Sequence, residues 1–146
     1  MRFWHNGVLT PDIDKTIEFF CASSGIPLEK WAISDMEFPQ SNVLVGKGGK
    51  LRRASAFVGD VVIELIQPLD GTSYHADALS KRGSGFHHNA YICENDYDEV
   101  IDSMIASGGR IVWAVKNGND HACYIEAPDG GTVLEIINHC PFMPEK

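Results

Sequence analysis

Two short segments decide the fold: VVIELIQP at residues 61–68 and TVLEIINH at residues 132–139. Both are rich in β-branched and aliphatic residues, and each follows a turn signal that contains glycine, which is typical of a buried strand. One glutamate interrupts each run at its fourth position, Glu64 in the first and Glu135 in the second. Because side chains in a strand alternate between faces and neither run has a polar stripe, we expect both carboxylates to be buried.

These two strands close the halves of an internal repeat. His5 and His88 each open a strand-like run, each is followed by asparagine, and each run leads through an Asp-rich turn into a helical stretch. Twenty residues after each histidine comes a glycine, Gly25 and Gly108, placed to end a helix. The repeat therefore predicts that the two histidines occupy equivalent positions, as the two glutamates do.

The helices of the two halves are predicted from their apolar spacing. Asp12 and Asp96 are expected at the helix starts, where an acidic side chain caps the first turn. The apolar residues that follow recur at helical spacing and are expected to face the core: Ile13, Ile17, Phe20 and Cys21 in the first helix, and Tyr97, Val100, Ile101, Met104 and Ile105 in the second.

Each half is thus predicted to have the order β-α-β-β-β. The additional strands are expected at roughly residues 28–36 and 51–58 in the first half, and at roughly 110–116 and 121–127 in the second. A long loop at residues 37–50 accounts for the greater length of the first half. We expect a single domain over residues 1–146, with one module at about 1–70 and the other at about 84–140.

Composition excludes several classes of partner. The formal net charge is −8, which argues against nucleic acid and membrane surfaces, and no apolar run approaches the length of a membrane span. The four cysteines show no CxxC spacing, so reduced thiols and a cytoplasmic location are expected. Six of the twelve basic residues nevertheless lie between positions 47 and 82. They indicate either a local anion pocket or basic, solvated loops: Lys47, Lys50, Arg52, Arg53, Lys81 and Arg82.

The repeated histidine and glutamate indicate a metal site. A carboxylate buried in a strand is costly unless it is paired or bound to a cation, and the same anomaly occurs in both halves. Two-fold pseudo-symmetry would bring two histidines and two glutamates together, a ligand set that suits one divalent ion. Taken singly, a histidine is more often at the surface and a strand glutamate in an ion pair. The predicted ligands are His5, Glu64, His88 and Glu135.

The remaining histidines carry weaker signals. His87 and His88 compete for one ligand position, and strand alternation places them on opposite faces, so His87 is expected in the second shell or at the surface. His75 lies in a polar stretch and is expected to be exposed. His121 could reach a substrate or merely begin a strand, and His139 lies past the end of its strand.

The chain resembles the vicinal oxygen chelate superfamily, the glyoxalase, bleomycin resistance and dioxygenase proteins, and within it the methylmalonyl-CoA epimerase and glyoxalase I-like branch. The resemblance covers nearly the whole chain and rests on His5 and four segments: residues 10–15, 63–68, 85–90 and 127–135. It implies an α+β fold in which two βαβββ modules form a cup-shaped open mixed barrel with helices on the outside. It also implies that the four residues named above are the metal ligands.

Within that superfamily, the segment KRGSGFHH at residues 81–88 is most similar to the epimerase-like branch. The epimerases of that branch resemble enzymes that use two catalytic bases. Their further glutamate lies on the strand before the one that carries the metal-binding acid of the first half. The corresponding strand, residues 51–58, has no carboxylate. The resemblance therefore implies related chemistry on a related substrate.

The implied function is an enzyme, a divalent-metal-dependent epimerase or isomerase that abstracts a proton α to a carbonyl by way of a metal-stabilised enediolate. Glu135 is expected as general base, and Glu64 as the acid or base on the opposite face. The expected ion is nickel, cobalt, zinc, manganese or magnesium. The substrate is a small molecule, an acyl thioester or a hemithioacetal, and the protein is expected to be a homodimer.

Three alternatives stay open. The first is a lactoylglutathione lyase (glyoxalase I)-like enzyme acting on hemithioacetals. The second is a ring-cleaving dioxygenase with ferrous iron, against which the fourth ligand argues because it fills a position that oxygen or substrate would need. The third is a metal-free small-molecule binding or resistance protein, which in this fold lacks the metal ligands.

Overall fold

The structure is a computed structural model that describes residues 1–140 and 144–146, and in this part of the chain nine strands form one mixed sheet. In chain order the strands are β1 (Arg2–Leu9), β2 (Ala32–Phe38), β3 (Val43–Val45), β4 (Gly49–Val58), β5 (Val61–Pro68), β6 (Gly85–Ile92), β7 (Arg110–Asn117), β8 (Asp120–Glu126) and β9 (Val133–Ile137). The helices are α1 (Ile13–Ser24), α2 (Tyr74–Arg82) and α3 (Tyr97–Ala106), with short 3-10 turns at Leu28–Lys30 and Gln40–Asn42.

The strand order shows the predicted repeat directly. The sheet runs β2-β4-β5-β1-β6-β9-β8-β7-β3, with the two first strands of the halves, β1 and β6, antiparallel at its centre. On one side β1 pairs in parallel with β5, and on the other β6 pairs in parallel with β9. The α+β fold with two curled halves is therefore confirmed, and the strands that carry the predicted ligands are the four central ones.

Helices α1 and α3 each cover the sheet of their own half. In the first half, Ile13 and Ile17 of α1 pack on Ala54, Ala56 and Leu65 of the sheet. In the second, Ile101 of α3 packs on the equivalent cluster: Cys93, Ala114, Cys123, Ile125 and Ile136. Both helices bury the apolar stripe that their sequences predicted. None of the described helices is long and apolar enough to cross a membrane.

The helix boundaries agree with the predicted caps in most details. The side chain of Asp12 accepts a hydrogen bond from the Lys15 amide at 3.1 Å, and Gly25 ends α1 in the left-handed conformation at φ 71°. Asp96 precedes α3 but its side chain makes no capping hydrogen bond. Helix α3 ends at Ala106 with Ser107 as its C-cap, and Gly108 follows with φ 93°, so this glycine lies one residue beyond the cap.

The long segment at residues 37–50 has more structure than the predicted loop. After β2, which ends at Phe38, a 3-10 turn leads into the three-residue strand β3, which pairs with β7 at the far end of the sheet. Since β2 and β3 are the two outermost strands, this connection joins the opposite edges of the curled sheet. The pairing is non-local and short, so the sequence pattern alone carries no signal for it.

Helix α2 occupies the cup side of the sheet. Its Ala78 packs on Leu9, Leu51 and Ile66, and Ile66 shares its strand face with Glu64. The prediction that His75 is exposed is wrong: the residue lies in the first turn of α2 and is 2% exposed. Its stretch is polar in sequence, but the helix turns His75 toward the interior, where aromatic rings surround it.

Candidate metal centre

The four predicted ligands converge at the middle of the sheet. His5 comes from β1, Glu64 from β5, His88 from β6 and Glu135 from β9, so that each half supplies one histidine and one glutamate. All four side chains are buried, and one potential ligand atom from each lies within 4.8 Å of the others. The structure thus brings together the complete set that the repeat predicted.

The distances between these atoms fit a shared cation. The Nε2 atoms of His5 and His88 face each other at 3.2 Å, and Oε2 of Glu135 lies 3.3 Å from both. Oε2 of Glu64 lies 3.1 Å from Nε2 of His5. Oε2 of Glu135 is buried and has no hydrogen bond of acceptable geometry, although a buried carboxylate oxygen needs a partner. Two imidazole nitrogens and two carboxylates are a donor set for a divalent ion of borderline or hard character.

The two carboxylates favour positive charge at the centre. Burial alone would lower the pKa of His5, but the nearby negative charges of Glu64 and Glu135 outweigh it and raise that pKa to about 10. Burial would raise the pKa of both glutamates, and the opposing contacts with the imidazoles hold both pKa values below their ordinary range. A metal ion bound here would replace the proton that His5 carries.

Gly7 makes room for the His88 ring. It pairs with His88 across the junction of β1 and β6, and a methyl group at position 7 would overlap Cε1, Nε2 and Nδ1 of that imidazole. A glycine inside a strand often marks such a close approach. The presence of Gly7 inside a predicted strand was therefore the one signal in the sequence that could have identified this contact. The glycine belongs to the site although it contributes no ligand.

A β-bulge lies beside each of the two histidines predicted as ligands. In the pairing of β1 with β6, Trp4 is the extra residue before His5, and His87 is the extra residue before His88. The two strands consequently share one burial pattern, with the bulged residue and the ligand histidine both buried. The expectation that His87 and His88 lie on opposite faces is therefore wrong, because a bulge breaks the alternation on which it rested.

His87 lies in the second shell, which was one of its two predicted positions. Its Nδ1 lies 2.9 Å from Nδ1 of His88, and its Nε2 lies 3.1 Å from the hydroxyl of Tyr74. Burial, followed by the charge of His88, lowers the pKa of His87 to about 2, so the ring is neutral. Burial raises the pKa of Tyr74 to about 12, so its hydroxyl keeps its proton.

The rings of His75 and Tyr124 form a group next to His87 and His88. His75 Nε2 lies 3.1 Å from the hydroxyl of Tyr124, and the Tyr124 ring lies beside the rings of His88 and His87. Burial lowers the pKa of His75 to about 4, so it too is neutral near pH 7. No sequence pattern indicates this group, because its members come from β6, β8 and α2 and meet only in the folded chain.

A cavity of about 250 Å³ opens beside the centre and is lined by His5, Glu64 and Glu135. Its apolar wall comes mainly from Trp4, Met36, Phe38, Leu51, Ile66, Trp113, Val115 and Ile137. Polar residues also line it, among them His121 and His139, so His121 stands where it can reach a substrate. The arrangement can hold a small molecule with one polar end at the centre of two histidines and two glutamates.

The basic residues of positions 47–82 do not form a common anion pocket. Arg53 alone among the six lines the cavity, with Nη1 3.6 Å from Oε1 of Glu64. Arg52 points to the opposite face and pairs with Asp35 at 2.8 Å. On strand β4, Ser55 pairs with Glu64 and Arg53 pairs with Ile66. Strand β4 therefore places no carboxylate beside Glu64.

The cysteines carry no cross-link. All four belong to the described part of the chain and all are free thiols. Cys93 and Cys123 are buried beneath α3, where burial raises the pKa of both. They act as small apolar core residues.

Comparison with known proteins agrees with this geometry. A family model described as the Glyoxalase/Bleomycin resistance protein/Dioxygenase superfamily matches residues 4–125. A lactoylglutathione lyase of Arabidopsis thaliana is 29% identical over 144 residues, which are 96% of this chain and 45% of that protein. The chain therefore spans a little under half the length of this curated relative.

Solved structures share the fold. A methylmalonyl-CoA epimerase from Mycobacterium tuberculosis is 26% identical with a TM-score of 0.65, over 96% of this chain and 89% of that one. A methylmalonyl-CoA epimerase from Streptomyces coelicolor, in complex with 2-nitronate-propionyl-CoA, is 20% identical with a TM-score of 0.68, over 99% of both chains. At 20% identity, the second likeness shows the fold alone.

Proposed function

This chain belongs to the Glyoxalase/Bleomycin resistance protein/Dioxygenase superfamily, and from that premise we propose that it is a divalent-metal-dependent isomerase that abstracts a proton α to a carbonyl. One observation carries the proposal: two histidines and two glutamates, one pair from each half, lie buried within 4.8 Å of one another at the base of a cavity. The proposed metal ligands are His5, Glu64, His88 and Glu135.

The chemistry needs a Lewis acid and a base. A divalent ion, when bound, polarises the substrate carbonyl and so acidifies the α-proton. Glu135 is the proposed base, since its Oε2 is buried and has no hydrogen-bond partner. Glu64, whose Oε1 lies 3.6 Å from Nη1 of Arg53, is the proposed acid or base on the opposite face. His5 and His88 hold the ion without changing charge.

The proposed substrate is a small acyl thioester, as for the epimerase of Mycobacterium tuberculosis that resembles this chain at 26% identity. The second candidate is a hemithioacetal, which the 29% identity to a lactoylglutathione lyase supports. The absence of a carboxylate from β4 removes the second base expected of the epimerases and so favours a substrate that differs from methylmalonyl-CoA. By the same family resemblance we expect a homodimer in the cytoplasm, which sedimentation and fractionation would test.

The proposal is tested by metal analysis together with α-proton exchange. The purified protein, loaded in turn with zinc, cobalt, nickel, manganese and magnesium, is incubated in D2O with methylmalonyl-CoA, other 2-substituted acyl thioesters, and the hemithioacetal of methylglyoxal with glutathione. We expect about one ion per chain and deuterium at the α-carbon of one class. Exchange on thioesters supports the epimerase, and lactoylglutathione formation supports the lyase.

Replacement of the base gives the sharper test. Glu135→Gln removes the proton acceptor, and loss of a general base slows the chemical step by about 10²–10⁴-fold. The control is Glu126→Gln on β8, whose carboxylate pairs with Arg110 at 2.7 Å outside the centre. Full α-deuterium exchange by the Glu135→Gln protein would show that this residue is not the base.

The remaining alternatives predict other results. A ring-cleaving dioxygenase would consume oxygen when the iron-loaded protein meets a catechol. A metal-free binding protein would retain well under one ion per chain after metal loading. Either result would replace the isomerase proposal.

A further inference from the structure

We propose that His87 is a positioning residue, which fixes the ring orientation and tautomer of His88 through a hydrogen-bonded chain that ends at Tyr74. The inference rests on the metal site of the proposed function and adds residues that supply no ligand. It is carried by the bulge in β6 and by two hydrogen-bond distances.

The bulge gives His87 its position. In a regular strand His87 would point away from His88, but the extra residue in β6 turns both rings toward the same buried region. The two rings are nearly perpendicular, at 86°, with their Nδ1 atoms 2.9 Å apart. Both residues are almost fully buried, at 2% and 0% exposure. Their polar atoms therefore depend on protein partners.

The direction of each hydrogen bond follows from the proton count. His88 directs Nε2 into the centre, 3.3 Å from Glu135 and 3.2 Å from His5, so Nε2 is the ligand atom and carries no proton when a metal is bound. The neutral ring then has its proton on Nδ1, which donates to Nδ1 of His87. His87 must in turn be protonated on Nε2.

Tyr74 completes the chain. With that proton on Nε2, His87 can donate to the Tyr74 hydroxyl oxygen, which lies 3.1 Å from Nε2. The Tyr74 ring is held between neighbours, stacking on Trp113 and tilted against Tyr124. The chain thus runs from the metal centre to α2, and each step permits one tautomer only. Such a partner raises the basicity of a metal-bound imidazole and holds its orientation.

The two halves of the repeat differ at this point. The residue equivalent to His87 in β1 is Trp4, which occupies the matching bulge and places its indole edge-on against His5 at a ring separation of 4.4 Å. An indole would therefore be enough at this position if the residue only had to fill the bulge. The imidazole in the second half adds an acceptor for His88 and a donor for Tyr74, and this capacity distinguishes a positioning role from filling the bulge.

The test uses zinc as the probe, with affinity measured by chelator competition. His87→Phe keeps an aromatic ring but removes both hydrogen bonds, and loss of such a partner lowers metal affinity by about 10–100-fold. His87→Gln can still accept from His88 and donate to Tyr74, and should restore most of the affinity. Phe86→Leu, next to it in β6 but exposed, is the matched control and should match the wild type.

Nitrogen-15 NMR supplies a readout that a packing defect would not move. In the zinc-loaded wild type, His88 should show protonated Nδ1 and metal-bound Nε2, and His87 the opposite proton position. Tyr74→Phe removes only the acceptor at the end of the chain, so the Nε2–H of His87 should keep its proton but change its chemical shift, and zinc affinity should fall by less than in His87→Phe. This variant leaves the bulge intact and so remains informative if His87→Phe fails to fold.

The outcomes separate failure of the positioning role from failure of the proposed metal site. Zinc affinity and His88 signals that are unchanged in His87→Phe, or a zinc affinity and a His87 Nε2–H signal that are unchanged in Tyr74→Phe, would overturn the inference. Failure of the proposed function is separate: His88→Ala would then bind zinc as tightly as the wild type. Loss of zinc binding in His88→Ala with unchanged binding in His87→Phe would contradict the positioning role alone.

Discussion

At the residue scale, the centre depends on what lies against its ligands as much as on the ligands themselves. Gly7 leaves space for one imidazole, His87 fixes its ring nitrogens, and Arg53 stabilises the charge on Glu64. The ligands were predictable because buried carboxylates and repeated histidines conflict with their apolar surroundings. The supporting residues were not, because a glycine, a second histidine and an arginine have ordinary roles in most strands.

Gly7→Ala should damage the metal site. The added methyl group overlaps the His88 ring, so the imidazole must move, and overpacking of this kind costs about 1–3 kcal/mol of the free energy of unfolding. Zinc affinity should fall as well. Gly71→Ala is the control, since a methyl group there meets nothing within 4 Å. Chelator competition and urea unfolding measure both effects, and equal values for the two variants would contradict the steric role.

His75 should make the fold sensitive to acid. Its pKa is lowered to about 4 in the folded state, chiefly by burial and then by the charge of His88, against an ordinary 6.5. The unfolded chain therefore takes up the proton first as the pH falls. The stability that neutral His75 contributes is fully present above about pH 6.5. It is lost as the pH falls toward about 4, and this loss lowers the free energy of unfolding by about 3 kcal/mol.

The measurement compares urea unfolding near pH 7 and near pH 4.5 for wild type and His75→Gln. Glutamine keeps a partner for Tyr124 but does not titrate. The variant should lose less stability between the two pH values than the wild type. Identical pH dependence would show that His75 does not remain neutral in the folded protein.

At the scale of the elements, regular structure was predictable where local chemistry sets it. Strands β5 and β9 follow from their apolar runs, and α1 begins at its capping aspartate. Three departures were set by distant contacts: the bulges in β1 and β6, the short strand β3, and the inward turn of α2. A bulge changes which face a side chain occupies without changing the composition of the strand, so a period-two pattern cannot reveal it.

The two helix starts provide a matched test of capping. Asp12→Ala should lower the free energy of unfolding, since the carboxylate accepts from the Lys15 amide. Asp96→Ala should cost less, because Asp96 makes no such bond at the start of α3. Thermal unfolding of both variants decides the point, and an equal or larger loss for Asp96→Ala would count against the cap at Asp12.

At the scale of the whole molecule, the proposed metal centre joins the two halves. Each half contributes one histidine and one glutamate from its two central strands, and the halves meet along the pairing of β1 with β6. A bound ion would therefore cross-link the modules at their junction. The cavity lies on the same side, partly walled by the connection that carries Phe38 from one edge of the sheet toward the other.

Metal binding should consequently raise the stability of the whole fold. With free zinc at a hundred times its dissociation constant, the expected gain is about 2.7 kcal/mol. Calorimetry with and without a chelator measures this as a rise in Tm for the wild type. His88→Ala should show little or no rise. An unchanged Tm of the wild type at saturating zinc would contradict a centre that bridges the two halves.

The sequence by itself determined the repeat, the α+β class and the four candidate ligands, because strand periodicity, helix caps and buried carboxylates are properties of short segments. Tertiary structure alone decided that His87 shares a buried face with His88, that His75 points inward, that Arg53 and not Arg52 faces the cavity, and that β3 closes onto β7. Each of these depends on register, bulges or the approach of distant segments. Such contacts are fixed by the lowest free energy of the whole chain and leave no mark in a local pattern.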